Sequence, residues 1–286
     1  MIRSFLFAPA DNARIIDSAI TRPTDVVILD LEDGVHESRR ADARQSIQDN
    51  LAKVAGRGKR AAVRINGALN TAVTDLRAAV SVHLDIVLLP KVEHARDVQL
   101  ISQVIGDLER EKQLVVGKIK FLLQIESAIA LPRLNEIAAA DPRIMGMMLG
   151  SEDFSLDCGA LPTPSLLMVP SMMVLFACRA AGIQPLGFIG SIADLGDSQG
   201  FRAKLDEAKA LGFRGAVVVH PKFLDAINEC YTPDPAAIAQ AQAIVDAFHT
   251  ADSQGMGAFK IGDLMVDKPV YLRARRLLDE AASTTC

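Results

Sequence analysis

The chain has 286 residues, 50% of them hydrophobic and 23% charged, enough apolar material for a large buried core and too much for wholesale disorder. Its 31 basic against 35 acidic residues leave a net charge of −4, opposite to the basic excess of a nucleic-acid binder. The length suits one (β/α)-type barrel of about 250 residues plus a short extension.

In chain order, a short apolar run at Ser4–Phe7 leads into a helical pattern at Asn12–Ile20. Asp25–Asp30 precedes Ser38–Val54, and Ala61–Asn66 precedes Thr71–Val80. The next pairs are Asp85–Pro90 with Ala95–Glu111, and Lys120–Glu126 with Ala128–Ala140. Arg143–Leu149 is followed by Ser171–Ala181, and Pro185–Ile189 by Phe201–Leu211. Gly215–His220 is the eighth strand. This alternation predicts a parallel sheet with crossover helices. Eight such units predict an α/β fold closed into a (β/α)₈ TIM barrel, and no G-x-G-x-x-G follows the first strand to favour an open dinucleotide-binding sheet.

The domain reading is a catalytic barrel over residues 1–231 and a helical extension over 232–286. Pro233-Asp234-Pro235 opens a long helix to about Phe248, Gly255, Gly257 and Gly262 mark a turn, and a last helix starts near Val270. The extension exceeds what a barrel needs, which predicts a lid and subunit contact.

Met1-Ile2-Arg3-Ser4-Phe5-Leu6-Phe7 reaches Pro9 and Asp11 at once, which does not read as a signal peptide. The longest mostly apolar stretch, Leu166–Cys178, is broken by Pro170 and Ser171 and reads as too short to span a bilayer. Cys158, Cys178, Cys230 and Cys286 are scattered, which points to a reduced, cytoplasmic setting with no disulfide framework. Cys178 reads as core, and Cys286 has little to pack against.

In such a barrel the chemistry sits where the strands end. Strand two ends in Asp30-Leu31-Glu32-Asp33-Gly34, strand three in Arg64-Ile65-Asn66 and strand four in Pro90-Lys91-Val92-Glu93. Strand five ends in Gln124-Ile125-Glu126-Ser127, strand six in Gly150-Ser151-Glu152-Asp153, and strand eight in His220-Pro221. Alternation along a strand sends Val63 and Ile65 toward the helices and Arg64 and Asn66 inward. The same logic turns Gln124 and Glu126 inward, so an arginine and a glutamate enter one mouth. The plain structural reading is a buried Arg64–Glu126 ion pair. Asp153 falls past its strand, in a loop. Glu126 and Asp153 offer oxygen ligands without Cys or His, which suits Mg²⁺ or Mn²⁺. His220 reads as a hydrogen-bonded structural histidine.

These residues resemble the citrate lyase β-subunit and malyl-CoA lyase-like family of the HpcH/HpaI aldolase superfamily. The resemblance runs in order through Arg3–Pro9, Leu29-Asp30-Leu31-Glu32-Asp33, Val63-Arg64-Ile65-Asn66, Leu89-Pro90-Lys91 and Gln124-Ile125-Glu126-Ser127. It continues in Gly150-Ser151-Glu152-Asp153-Phe154, His220-Pro221 and Met265-Val266-Asp267-Lys268-Pro269. It implies a homotrimer or hexamer that binds Mg²⁺ and cleaves a 3-hydroxyacyl thioester, carried by coenzyme A or an acyl-carrier protein, to a 2-keto acid and an acyl thioester. It implies Glu126 and Asp153 as metal ligands, and Arg64 and Asp267 as catalytic residues. It places Arg14, Glu32, Asp33, Arg64 and Glu126 in substrate binding. Asp267 would come from a neighbouring subunit, which accounts for the extension. Three positions depart from the family pattern: Ala10 stands where Gly is common, Ser18 near a common Lys, and Pro185-Leu186-Gly187 lacks an Asp. The other readings are a malyl-CoA thioesterase, a malate-synthase-like condensing enzyme, an aldolase on free 2-keto acids, and a non-catalytic barrel.

Overall fold

The computed structural model describes residues 1–196 and 198–284; Cys286 lies outside them. Eight parallel strands run β1 Ser4–Pro9, β2 Val26–Asp30, β3 Arg60–Arg64, β4 Ile86–Leu89, β5 Lys120–Ile125, β6 Ile144–Leu149, β7 Gln184–Leu186 and β8 Ala216–Val218. Their order, β7-β6-β5-β4-β3-β2-β1-β8, follows the chain around a ring. The ring closes between the two end strands, where Gly187 N donates to Gly215 O at 2.9 Å and Arg214 N to Pro185 O at 3.0 Å. This is the (β/α)₈ barrel that the alternation predicts.

Strands such as Val-Val-Ile-Leu-Asp are apolar on both faces because each face is covered, by the barrel interior and by the helix layer. Phe5, Val26, Ile28, Ala62, Ile86, Leu88, Leu122, Leu186 and Val217 fill the interior. The parity predicted for strand three holds at Arg64, which follows Ala62 inward.

The surrounding helices are α1 Ala13–Ala19, α2 Arg40–Ala55, α3 Leu69–Ala79, α4 Ala95–Glu111, α5 Leu134–Ala138, α6 Ser151–Asp157, α7 Pro164–Ala181, α8 Ser198–Leu211 and α9 Leu224–Tyr231. Three differences from expectation have local causes. The helix expected over Ala128–Ala140 splits into a 3₁₀ segment, Ala128–Arg133, and α5, because Pro132 carries no N–H to continue one ladder. Asp153 lies in the first turn of α6, a short helix that starts directly after β6, and not in a loop. The α7 helix starts at Pro164, where Thr163 accepts a hydrogen bond from Leu166 N, and runs through Pro170. At 18 residues it is long and apolar enough to cross a membrane by length and composition, correcting the reading of that stretch as too short. Its Leu167, Val174, Leu175 and Cys178 are buried, and it packs on β6 and β7 as a barrel helix. Burial pushes the Cys178 thiol up to about 12, as befits a core residue.

Residues 2–228 form one compact unit, and Met1 with Glu229–Cys286 a second. The second unit holds α10 Pro235–Ser253, a hairpin of β9 Phe259–Ile261 and β10 Leu264–Val266, and α11 Lys268–Thr284. The expected glycine turn is therefore a strand pair, closed by Gly262 at φ 56° and Asp263. Ala241, Ile244, Val245, Val266 and Ala274 form this unit's own core, flanked by the stacked rings of Phe248 and Tyr271.

Candidate active site

Asp30 and Arg64 end adjacent strands at paired positions, both directed inward. The register therefore joins them: Arg64 Nε donates to Asp30 Oδ1 at 2.7 Å and Nη2 to Oδ2 at 2.6 Å. Asp30 is held in turn by the N–H groups of Glu32, at 3.0 Å, and Gly34, at 2.8 Å. The remaining guanidinium edge, Nη1, lies 3.0 Å from Glu32 Oε2 and 3.9 Å from Asp33 Oδ2. Burial disfavours the cation, and the bonds and charges of Asp30, Glu32 and Asp33 outweigh it, so Arg64 is held more firmly protonated than a free arginine. The guanidinium also stands 4.8 Å from the centre of the Phe7 ring.

Lys91 adopts a left-handed backbone (φ 52°) that turns its N–H onto Glu126 Oε2 at 2.7 Å. Such a conformation is uncommon away from glycine and clusters at functional sites. Its ammonium reaches Glu32 Oε1 at 2.9 Å, and this pairing raises the lysine's proton affinity against the effect of burial. Gln124 Nε2 donates to Glu126 Oε1 at 2.6 Å. Glu126 is thus gripped on both oxygens in a buried position. Burial pushes its carboxyl up to about 8, the Lys91 N–H opposes this, and the neighbouring Glu32 and Asp153 add to it. Burial likewise raises Glu32, against the pull of Arg64 and Lys91.

Gly150, between β6 and α6, makes this packing feasible. A Cβ there would stand 2.5 Å from Glu126 Cγ and 2.8 Å from Gln124 Nε2, so no larger residue fits without displacing both side chains. From Gly150 the chain enters α6, which carries Glu152 and Asp153 in its first turn.

A cavity of about 530 Å³ opens over these residues, lined on its polar side by Asp30, Asp33, Arg64, Gln124, Glu152 and Asp153. Glu126 borders a smaller hollow of about 330 Å³ with Lys91 and Asp153. Asp153 is common to both. Among the described residues no group of three or more His, Cys, Asp or Glu side chains converges on one metal position. A cation here would therefore be held by two carboxylates with substrate and water, the usual setting of Mg²⁺. The residues fit such an ion: Glu126 has a carboxylate neighbour in Asp153 and another in Glu32, and the nearby ammonium of Lys91 is given to Glu32.

The structure thus brings together Arg64, Glu32 and Asp33, and sets Glu126 beside Asp153. The Arg64–Glu126 pair of the plain structural alternative is not formed; Asp30, one strand away with matching register, takes the guanidinium instead. Asn66 does not point into the barrel. Its Nδ2 donates to Leu31 O and to Asp75 Oδ2 of α3, because the chain has already left the strand. Arg14 is exposed on α1, and its neighbour Ile15 is the one that lines the cavity. Asp267, in the second unit, caps α11: its Oδ1 accepts from Val270 N at 3.1 Å. His220 likewise accepts from Lys222 N at 3.1 Å, a structural cap. Asp30, Lys91, Gln124 and Glu152 stood at the strand ends in the sequence but were given no role there. Asp30 was legible as the inward neighbour of Arg64, whereas the Lys91 backbone conformation left no signal in residue type.

Comparison with known proteins agrees with the fold. The model of the family described as HpcH/HpaI aldolase/citrate lyase matches residues 3–221. A citrate lyase subunit beta from Leuconostoc mesenteroides subsp. cremoris is 32% identical over 280 residues, 96% of this chain and 92% of its own. An L-malyl-CoA/beta-methylmalyl-CoA lyase from Cereibacter sphaeroides (strain ATCC 17025) is 32% identical over 303 residues, 98% of this chain and 94% of its own. The solved structure of the protein CitE from Mycobacterium tuberculosis, in complex with magnesium, acetoacetate and coenzyme A, is similar with a TM-score of 0.77 and 28% identity, covering 98% of each chain. The chain belongs to the HpcH/HpaI aldolase/citrate lyase family.

Proposed function

We propose that the chain is a Mg²⁺-dependent carbon–carbon lyase that cleaves a 3-hydroxyacyl thioester, of the malyl-CoA, citramalyl-CoA or citryl type, to a 2-keto acid and an acyl thioester. One observation carries the reading: Asp153, the neighbour of Glu126, lines one cavity with a pre-oriented arginine at the carboxyl ends of the barrel strands. Glu126 and Asp153 would hold the ion, with Mn²⁺ as the alternative. Bound there, the ion supplies Lewis-acid polarisation of the keto-acid oxygens.

The remaining work falls to the chain. Asp30 fixes the guanidinium plane of Arg64, so its charge needs no reorganisation when negative charge develops on a reacting oxygen. Gln124 and the Lys91 N–H keep Glu126 turned toward Asp153. Cleavage breaks the bond between the hydroxyl-bearing carbon and the thioester α-carbon as the hydroxyl gives up its proton and becomes the keto oxygen, and the released enolate carbon then takes a proton, so no net proton is gained or lost. Asp267 is the proposed acid, delivered by the second unit of a neighbouring copy in a homotrimer or hexamer. Arg14, Glu32 and Asp33 are proposed to meet the thioester and keto-acid ends of the substrate.

Purified protein incubated with Mg²⁺ and a panel of CoA thioesters, with keto acid and free CoA assayed separately, tests the proposal. Keto acid released without free CoA is the expected result. Free CoA without keto acid would identify a thioesterase.

A further inference from the structure

The ionisable residues lining the main cavity are Asp30, Asp33, Glu152 and Asp153 against a single cation, Arg64. That cation is committed: Asp30 takes Nε and Nη2, and Glu32 and Asp33 face Nη1. Lys91 does not line this cavity, and its ammonium is held by Glu32. Glu152 accepts from the Ser191 hydroxyl at 2.6 Å, which orients its charge without cancelling it.

The rest of the wall is apolar. Phe7 from β1, Ile15 from α1, Met148 from β6, Val219 beyond β8 and Ile192 after β7 converge there. Ile192 is fixed in place, since its N–H donates to Ser151 Oγ at 3.2 Å while Ser191 ties the same loop to Glu152. Ile15 and Val219 are 41% and 43% exposed, apolar surface that a ligand could cover.

We propose that this wall selects, among the substrates of the reaction proposed above, those whose 2-keto acid carries hydrogen or a small alkyl group, and disfavours those carrying a second carboxylate. The inference rests on that proposed function. In the proposed function, one carboxylate and the ketone of any keto acid would be met by the divalent ion. A second carboxylate finds no uncommitted cation among the described residues lining the cavity, and meets Asp33, Glu152 and Asp153. Like charges brought together in a partly desolvated site are strongly disfavoured. An alkyl group instead gains roughly fourfold in affinity for each methylene it buries against the wall.

The test is calorimetric titration of the full chain, at saturating Mg²⁺, with glyoxylate, pyruvate, 2-oxobutyrate and oxaloacetate. Pyruvate or 2-oxobutyrate is expected to bind at least roughly tenfold more tightly than oxaloacetate. Ile192→Lys and Val219→Lys, each at a partly exposed position, supply the missing cation and should narrow the gap by roughly tenfold. Oxaloacetate binding as tightly as pyruvate to the native chain would overturn the inference and leave the proposed function standing. A preference that survives both lysines would overturn its assignment to this wall. Failure of all four acids to bind would overturn the proposed function, and the inference with it.

Discussion

Asp30 and Arg64 are paired residues on neighbouring parallel strands, and the carboxylate meets the guanidinium with both oxygens, at 2.7 and 2.6 Å. Both side chains are at least nine-tenths buried, so removing the Asp30 charge takes away two short bonds to the arginine and leaves Glu32 as its nearest anion. Asp30→Asn is therefore expected to lower the unfolding free energy by about 3 kcal/mol. Urea denaturation measures it. Unchanged stability would mean that Glu32, 3.0 Å from Nη1, holds the arginine unaided.

Arg64→Lys keeps the charge and loses the planar fork that matches Asp30. The lysine amine cannot satisfy both carboxylate oxygens while facing the cavity. A fall in kcat/KM equivalent to about 2–4 kcal/mol of transition-state stabilisation is expected. Near-native kinetics would reduce Arg64 to a structural anchor of strands β2 and β3.

Gly150→Ala would place a methyl group 2.5 Å from Glu126 Cγ and 2.8 Å from Gln124 Nε2. The expected cost in stability is about 1–3 kcal/mol, the range for overpacking. Mg²⁺ binding in the presence of a keto acid should suffer more, because the displaced side chain is the one proposed to hold the ion. Titration of Mg²⁺ against the native chain and Gly150→Ala, Glu126→Ala and Asp153→Ala variants checks this. Undiminished binding in all three would move the metal elsewhere.

Glu109 and Arg143 form a second buried pair, at 3.0 and 2.6 Å, where β6 begins against α4. Burial raises the Glu109 carboxyl, but the bonds from Arg143, Gly117 N and Ile119 N outweigh it and hold it below the ordinary 4.5. A depressed folded value means that the unfolded chain takes up the proton first as pH falls. Its stabilisation is thus complete well above 4.5 and is lost below, through the folded value. Glu109→Gln should be less stable at pH 7 by about 3 kcal/mol and show a shallower loss in acid. Parallel acid profiles for the two proteins would rule this pair out as a source of acid lability.

The barrel was legible because eight short apolar runs alternate with helical patterns, and inward parity found Arg64 and Gln124 as well. Partner identity was not. Parity states which way Arg64 faces, whereas register decides which neighbour it meets, and the β2–β3 register gives it Asp30 rather than Glu126. Asn66 failed for the opposite reason: the strand ends at Arg64, so alternation no longer governed it. Asp153 was read as loop because a single residue, Gly150, separates the end of β6 from α6, whose first turn already holds Asp153.

Asp267 has one role visible within its own unit, the cap on α11. The proposed second role, proton transfer in a neighbouring copy's site, predicts that barrel and extension act in trans. A barrel-defective variant and an extension-defective variant should then complement when subunits exchange. Asp153→Ala is the better barrel variant, since Asp153 is only half-buried and its loss strands no buried cation, unlike Arg64→Ala. Asp267→Ala should cost about 1 kcal/mol as a lost cap, and Asp267→Ser, which still caps, should recover that stability without recovering activity. Each variant alone should be inactive. A mixture in which exchange is demonstrated by mass-tagged subunits should regain part of the native rate, because some mouths receive Asp153 from one chain and Asp267 from another. No recovery at all, with exchange proven, would mean that both residues serve the same chain. An active Asp267→Ser protein would leave the aspartate with its cap alone.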